Sequence, residues 1–288
     1  MPVNAVLLLL ASALVHATWN LQVKRSGAKG LFLLLAIGAA AVLYLPAFVW
    51  LLYTHGLPAA GLPFLLGTCG TNLLYFVSLG RAYSYGDISF VYPINRGSGL
   101  AWTAVVAVLV FHEPLSAFGG LGVSLVLTGI LFSQGRPSLT ENAAAAKARR
   151  LALFWALING VSIAANLLID RQGTRYIHPF LYAYLEYASA GLVLLPAALR
   201  AGPAPLLAEW RARRGSVVAV GALMIFSYVL TLFAMRFAAV SYVAAVRELS
   251  IVFATAMGML ILKEPASRNR LAAALLITLG VILIGLRG

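Results

Sequence analysis

Acidic side chains are scarce in this sequence. Eight aspartates and glutamates stand against 21 lysines and arginines in 288 residues, with four histidines and one cysteine. Only 10% of the residues are charged, while 62% are hydrophobic and the mean hydropathy is +0.93. A soluble domain of this length needs far more charge to cover its surface, so the composition assigns that covering to a bilayer. The lone Cys69 excludes an intrachain disulfide and a thiolate metal cluster. There is no Gly-rich phosphate loop, so ATP drive within the chain is not expected and no cofactor is called for. His112-Glu113-Pro114 and Lys263-Glu264-Pro265 lack a second ligand at helical spacing, so no metal site is expected there. Proline after glutamate fits a tight turn instead, with the carboxylate receiving N–H groups from the start of the next helix. The net charge of +13 suggests nucleic acid as a partner, but its distribution argues against that. The basic residues lie in short clusters between apolar runs, where they suit anionic lipid headgroups.

Apolar segments of about 20 residues, enough for a ~30 Å hydrocarbon core, recur at short intervals. They predict ten transmembrane helices at 4–23, 30–53, 61–82, 88–111, 116–134, 150–170, 178–199, 216–235, 239–262 and 269–287. The first lacks a positive leading segment and runs too long for a signal peptide, so it reads as a span. Turn and breaker residues separate the spans, among them His55-Gly56, Gly86-Asp87 and Gly173 to Pro179. Residues 135–149 form a polar central linker in which Ser138 to Glu141 matches a capping box, and the alanines after it should open a helix into the sixth span. Residues 201–215, with Trp210, Arg211, Arg213 and Arg214, read as a short interfacial segment. Fifteen basic residues fall in or beside the loops after odd-numbered helices; Arg171, Arg175, Arg236 and Arg287 lie on the other side. The positive-inside rule then puts the linker in the cytoplasm and both termini outside.

The halves repeat each other residue by residue. Asn20 to Gly27 matches Asn166 to Gly173, Leu45-Pro46 matches Leu195-Pro196, and Gly129 matches Gly280. Arg96 precedes Glu113-Pro114 by the same 17 residues that separate Arg247 from Glu264-Pro265. The offset drifts only from 146 to 151, which indicates duplication. Residues 1–135 and 150–288 are therefore two five-helix repeats joined by the linker at 136–149. With an odd number of helices in each, the second repeat enters the membrane from the opposite face. The expected fold is an all-α integral membrane protein of two inverted repeats, with a substrate site between them near the midplane.

Together, these halves, the turns Gly86-Asp87-Ile88-Ser89 and Ala238-Ala239-Val240-Ser241, and the two Glu-Pro helix ends resemble the ten-helix EamA-like branch of the drug/metabolite transporter superfamily. The resemblance covers essentially the whole chain. It implies export or exchange of small metabolites such as amino acids, drugs, nucleotide sugars or phosphorylated compounds, in a bacterial inner membrane. The stretch His16-Ala-Thr-Trp19-Asn20 is similar to a bacterial subgroup associated with phosphonate utilisation. Many relatives have proline in the middle of the fourth and ninth helices; here Arg96 and Arg247 occupy that region.

Each of these arginines stands roughly 12 Å into its helix. An arginine at that depth costs several kcal/mol unless it is paired or lines a wet cavity. Either it snorkels or pairs with a carboxylate to hold helices together, or it binds an anionic or zwitterionic substrate through its planar fork. Glu186 and Glu248 read as the carboxylates well inside the spans, able either to couple transport to protons or to neutralise an arginine. Glu248 points about 100° away from Arg247 on a helix, so Glu186 is the expected partner for one arginine. His16, Trp19 and Asn20, the strip of Asn72, Tyr75, Tyr92 and Asn95, and the tyrosines Tyr182 and Tyr228 are candidates for lining the cavity. For each, an interhelical hydrogen bond or simple space-filling is the competing role. An intramembrane enzyme or flippase acting on a phospholipid or polyprenyl phosphate is the alternative function. It would need clustered acids and bases near one interface, and the loops hold almost none beyond lysine and arginine.

Overall fold

A computed structural model of the chain describes residues 1–26, 29–86, 88–132, 143–261 and 268–287. Hydrocarbon offers no hydrogen-bond partner, so backbone groups must be satisfied within their own segment, and helices do this. The helices are α1 (Val3–Lys24), α2 (Lys29–His55), α3 (Leu62–Tyr85), α4 (Ile88–Leu109), α5 (Ala117–Phe132), α6 (Ala143–Gly173), α7 (Pro179–Ala201), α8 (Pro203–Ala234), α9 (Val240–Arg247), α10 (Leu249–Ile261) and α11 (Arg268–Arg287). No strand occurs among the described residues. Counting α9 and α10 as one interrupted span, ten helices form an all-α membrane protein. Seven spans are long and apolar enough to cross a membrane by themselves; Ala117–Phe132 and Leu271–Ile284 are apolar but shorter. Leucines and valines such as Val42, Leu66, Leu260 and Leu275 are exposed on the outside, where lipid would cover them.

Three elements differ from the sequence expectation. The ninth span, Val240–Ile261, is interrupted at Glu248 by a single turn residue whose backbone (φ −68°, ψ −9°) stays in the right-handed region before α10 resumes. The segment at 201–215 is helical and runs on into the eighth span across a kink at Arg213, where φ is −140°. Gly202, at φ 81°, is what separates it from α7. The alanine run does open α6, at Ala143; the capping box at Ser138 to Glu141 lies outside the described residues, as do Asp87 and the turn at Glu264-Pro265.

The repeats interlock. Exchanging each helix for its counterpart in the other half preserves the main contacts between the halves. α1 packs on α8 as α6 packs on α3, and α2 packs on α8 as α7 packs on α3. α1 meets α9 and α10 as α6 meets α4, while α2 with α7 and α5 with α11 exchange with themselves.

The α5–α11 seam shows where the axis lies. A methyl group on Gly122 would stand 2.6 Å from the Gly280 carbonyl, and one on Gly129 would stand 2.9 Å from the Ala273 carbonyl. Residue numbers rise along α5 as they fall along α11, so the helices are antiparallel. The 151-residue offset that pairs Gly129 with Gly280 also pairs Gly122 with Ala273, so it turns one contact into the other. A two-fold axis relating antiparallel membrane helices must lie in the membrane plane.

This crossing sets the first prediction. Gly122→Ala should lower stability by roughly 1–3 kcal/mol, because the added methyl meets backbone that cannot swing away. Gly70→Ala, which has nothing within 4 Å, should leave stability unchanged. Thermal unfolding of detergent-purified protein tests this, and equal melting of the two variants would rule out a close seam.

Candidate functional site

A cavity of about 250 Å³ lies between the repeats. Its walls come from the middle of six elements: Asn72, Tyr75 and Phe76 on α3, Arg96 on α4, Ser162 and Asn166 on α6, Glu186 and Tyr187 on α7, Tyr228 on α8, and Arg247 on α9. It extends toward the face carrying the α1–α2 turn, where His16, Trp19, Leu33, Ile37 and Leu194 line it. That is the face with the dense Lys and Arg clusters.

The opposite face is packed. Aromatic pairs fill it: Phe48 stacks on Tyr184 at 4.3 Å, Tyr44 meets Phe180 at 5.5 Å, and His178 sits between His55 and Phe233. Glu113 adds a polar clasp. Its carboxylate accepts the N–H of Val240 at 2.9 Å, the N–H of Ser241 at 3.3 Å and the Ser241 hydroxyl at 3.0 Å, and it pairs with Arg171. The sequence expectation was that Glu113 caps the next helix, α5. It caps α9 of the other repeat instead. His112, at φ 51°, lies in the turn that brings Glu113 there.

The two arginines occupy equivalent positions but have different partners. Arg96 pairs with Glu248 across the repeats, Nε to Oε2 at 3.4 Å. Glu186 is therefore not the partner of Arg96. Glu248 does point away from Arg247, but what it points toward is α4, a contact that no single-helix argument supplies. Applying the same offset to Glu248 gives Gly97, so Arg247 has no reciprocal carboxylate. Among the described residues, Arg247 makes no ion pair; its guanidinium lies 5.5 Å from the centre of the Tyr228 ring. Three buried polar atoms of cavity-lining residues have no hydrogen-bond partner among the described residues: Arg96 Nε, which faces Glu248, and Trp19 Nε1 and Glu186 Oε2.

Eight of the anticipated residues line the cavity: His16, Trp19, Asn72, Tyr75, Arg96, Glu186, Tyr228 and Arg247. Five do not. Tyr92 is 40% exposed one turn before Arg96, whose guanidinium lies 5.9 Å from the centre of its ring. Asn95 donates to Asn159 Oδ1 at 2.9 Å and joins α4 to α6. The Asn20 amide folds back onto the His16 carbonyl of its own helix at 2.8 Å. Tyr182 is fully buried, its hydroxyl engaged by Thr68 and the Phe64 carbonyl. Glu248 is committed to Arg96.

Sequence reasoning missed Ser162, Asn166 and Tyr187 in the wall, and above all Asp170 beneath it. Asp170 is fully buried, accepting the Thr68 hydroxyl at 2.6 Å and contacting the Tyr228 hydroxyl. Placing the end of the sixth span at 170 made it look interfacial, but α6 continues to Gly173. Asn166 was legible as the counterpart of Asn20.

Breaking the interior ion pair should be costly. Glu248→Gln leaves Arg96 charged and unpaired, and should destabilise by about 3–5 kcal/mol. The double variant Arg96→Met with Glu248→Leu should recover most of that loss, because apolar replacement removes both desolvation penalties. Thermal melting in one detergent compares the three proteins; a double variant no better than Glu248→Gln would contradict the pairing.

Comparison with known proteins bears on the fold and on the second repeat. A 63-residue stretch, 22% of the chain, is 38% identical to the uncharacterized protein y4nH of Sinorhizobium fredii. The chain spans about half, 51%, of that relative's length. A solved crystal structure shares the fold with a TM-score of 0.75 at 17% identity, over 99% of this chain and 98% of that one. Residues 150–286 match the EamA-like transporter family. The second half is thus similar to the EamA-like transporter family, and the fold shared with the solved structure runs over the whole length of the chain.

Proposed function

We propose that this protein is a secondary carrier in a bacterial inner membrane that exports or exchanges a small anionic or zwitterionic metabolite by alternating access between its repeats. The candidate cargoes are amino acids, organic acids and phosphorylated or phosphonate compounds. The observation that carries this reading is Arg247 in the cavity, which makes no ion pair among the described residues, beside Trp19 Nε1 and Glu186 Oε2, which have no hydrogen-bond partner there. Buried polar groups left unpaired by the protein are satisfied by water or ligand. A planar guanidinium suits a carboxylate or phosphonate, and Glu186 suits an ammonium group. Arg96, already neutralised by Glu248, shapes the site and does not supply its net charge.

The open and closed faces fit one end state of a carrier. The cavity reaches toward the basic face, which the positive-inside rule assigns to the cytoplasm. Aromatic packing and the Glu113 clasp close the other. Glu186 is the cavity-facing carboxylate available for proton coupling.

A thermal-shift screen of detergent-purified protein against amino acids, organic acids and phosphonates should yield a stabilising ligand. Arg247→Ala should weaken its binding by about 1.5–3 kcal/mol, roughly ten- to a hundredfold. Arg247→Lys should restore only part, because ammonium lacks the fork. Correctly folded Arg247→Ala protein that binds the same ligand with unchanged affinity would overturn the anionic-group reading.

A further inference from the structure

We propose that Asp170 holds the coupling proton in this cavity-open state and exchanges it with the cavity through Tyr228. The proposal depends on the carrier reading for its purpose, though not for its test.

Counting hydrogens supports the assignment. The Tyr228 hydroxyl lies within bonding distance of two acceptors, Asp170 Oδ2 and Asn166 Oδ1, the latter at 3.3 Å. A phenol has one hydrogen and cannot donate to both. The Asn166 amide is oriented by Thr71: its nitrogen donates to the Thr71 hydroxyl at 3.1 Å, and that hydroxyl's own hydrogen goes to the Thr68 carbonyl at 3.0 Å. A proton on Asp170 Oδ2 resolves the conflict: the acid donates to the phenol oxygen, and the phenol donates to Asn166. The other oxygen, Oδ1, already has the Thr68 hydroxyl at 2.6 Å. Thr68 in turn meets the Tyr182 hydroxyl, which reaches the Phe64 carbonyl.

The surroundings agree. Asp170 has no ion pair among the described residues, so a bare carboxylate there would be buried without a counter-charge in contact. The groups that act on it are the Thr68 hydroxyl from α3, Tyr182 and Glu186 from α7, Tyr228 from α8, and the Arg247 charge from α9. Tyr228 and Asn166 line the cavity together with Glu186, so one phenol separates the acid from the cavity. Transfer conserves protons. Tyr228 passes its hydrogen to the Glu186 carboxylate and takes the one on Asp170, leaving Asp170 ionised and Glu186 neutral. Asp170 also lies one turn from the end of α6, on the side of the packed face. The duplication aligns Asp170 with Lys24, so the shared scaffold does not require an acid at this place.

Infrared spectroscopy of the full-length protein in lipid, titrated with acid and base, tests this with the proton itself as the probe. The wild type should show a protonated-carboxyl C=O stretching band that falls and returns reversibly with pH. Asp170→Asn should abolish it, Asp170→Glu should restore a band, and Glu186→Gln should keep it. Tyr228→Phe should shift its frequency, since the acid loses its acceptor. If Asp170→Asn does not fold, the Tyr228→Phe spectrum decides, and an unshifted band overturns the proposal. A band that survives Asp170→Asn, vanishes only in Glu186→Gln, or never responds to pH also overturns it. None of these results depends on ligand binding at Arg247, so this proposal and the carrier reading fail separately.

Discussion

Hydrocarbon has no hydrogen bonds to offer, and that one constraint organises the interior of this protein. Backbone groups are met within helices, and side-chain hydroxyls and amides either fold back onto their own helix, as Thr103 and Thr128 do, or find partners across helices. The partners across helices lie mainly in the other repeat. Ser12 bonds the Ser227 carbonyl, Ser162 bonds the Thr71 carbonyl, and Tyr44 and Tyr184 reach carbonyls on α8 and α2. Asn95, Asn159 and Ser78 form a chain that ties α4 and α3 to α6. Since each repeat finds its polar partners in the other, neither half is a free-standing bundle. The cavity is what remains where they do not close.

The scaffold is symmetric, but its charges are not. The three carboxylates inside the spans, Asp170, Glu186 and Glu248, all belong to the second repeat. Their counterparts by offset are Lys24, Ala36 and Gly97. The arginines are duplicated and the acids are not, which is why one guanidinium is neutralised and its twin is left facing the cavity.

Periodic features of the fold were legible from sequence because they are local or repeated. Apolar runs located ten spans, and the matched Arg-to-Glu-Pro spacing located the repeats. The odd number of helices per repeat gave the inversion that Gly122 and Gly129 display in the structure. Depth in a helix was enough to bring Arg96, Arg247 and Glu186 to one cavity. What escaped was the identity of partners. Glu113 reaches α9 and Glu248 reaches α4, over distances along the chain that no helical period encodes. Asp170 escaped for a smaller reason, a helix end placed three residues short, which turned a buried acid into an apparent interfacial one.

The break at Glu248 has a mechanical side. An unbroken helix moves as a rod, so a shift at one membrane face reaches the other undiminished. Interrupted at its midpoint, the ninth span becomes two levers with a shared pivot. Its first half, α9, is pinned at the packed face by the Glu113 clasp; its second half, α10, runs on to the basic face. The pivot carries Arg247 on one side and the carboxylate bound to Arg96 on the other. A bend at that residue would displace both charged groups at once.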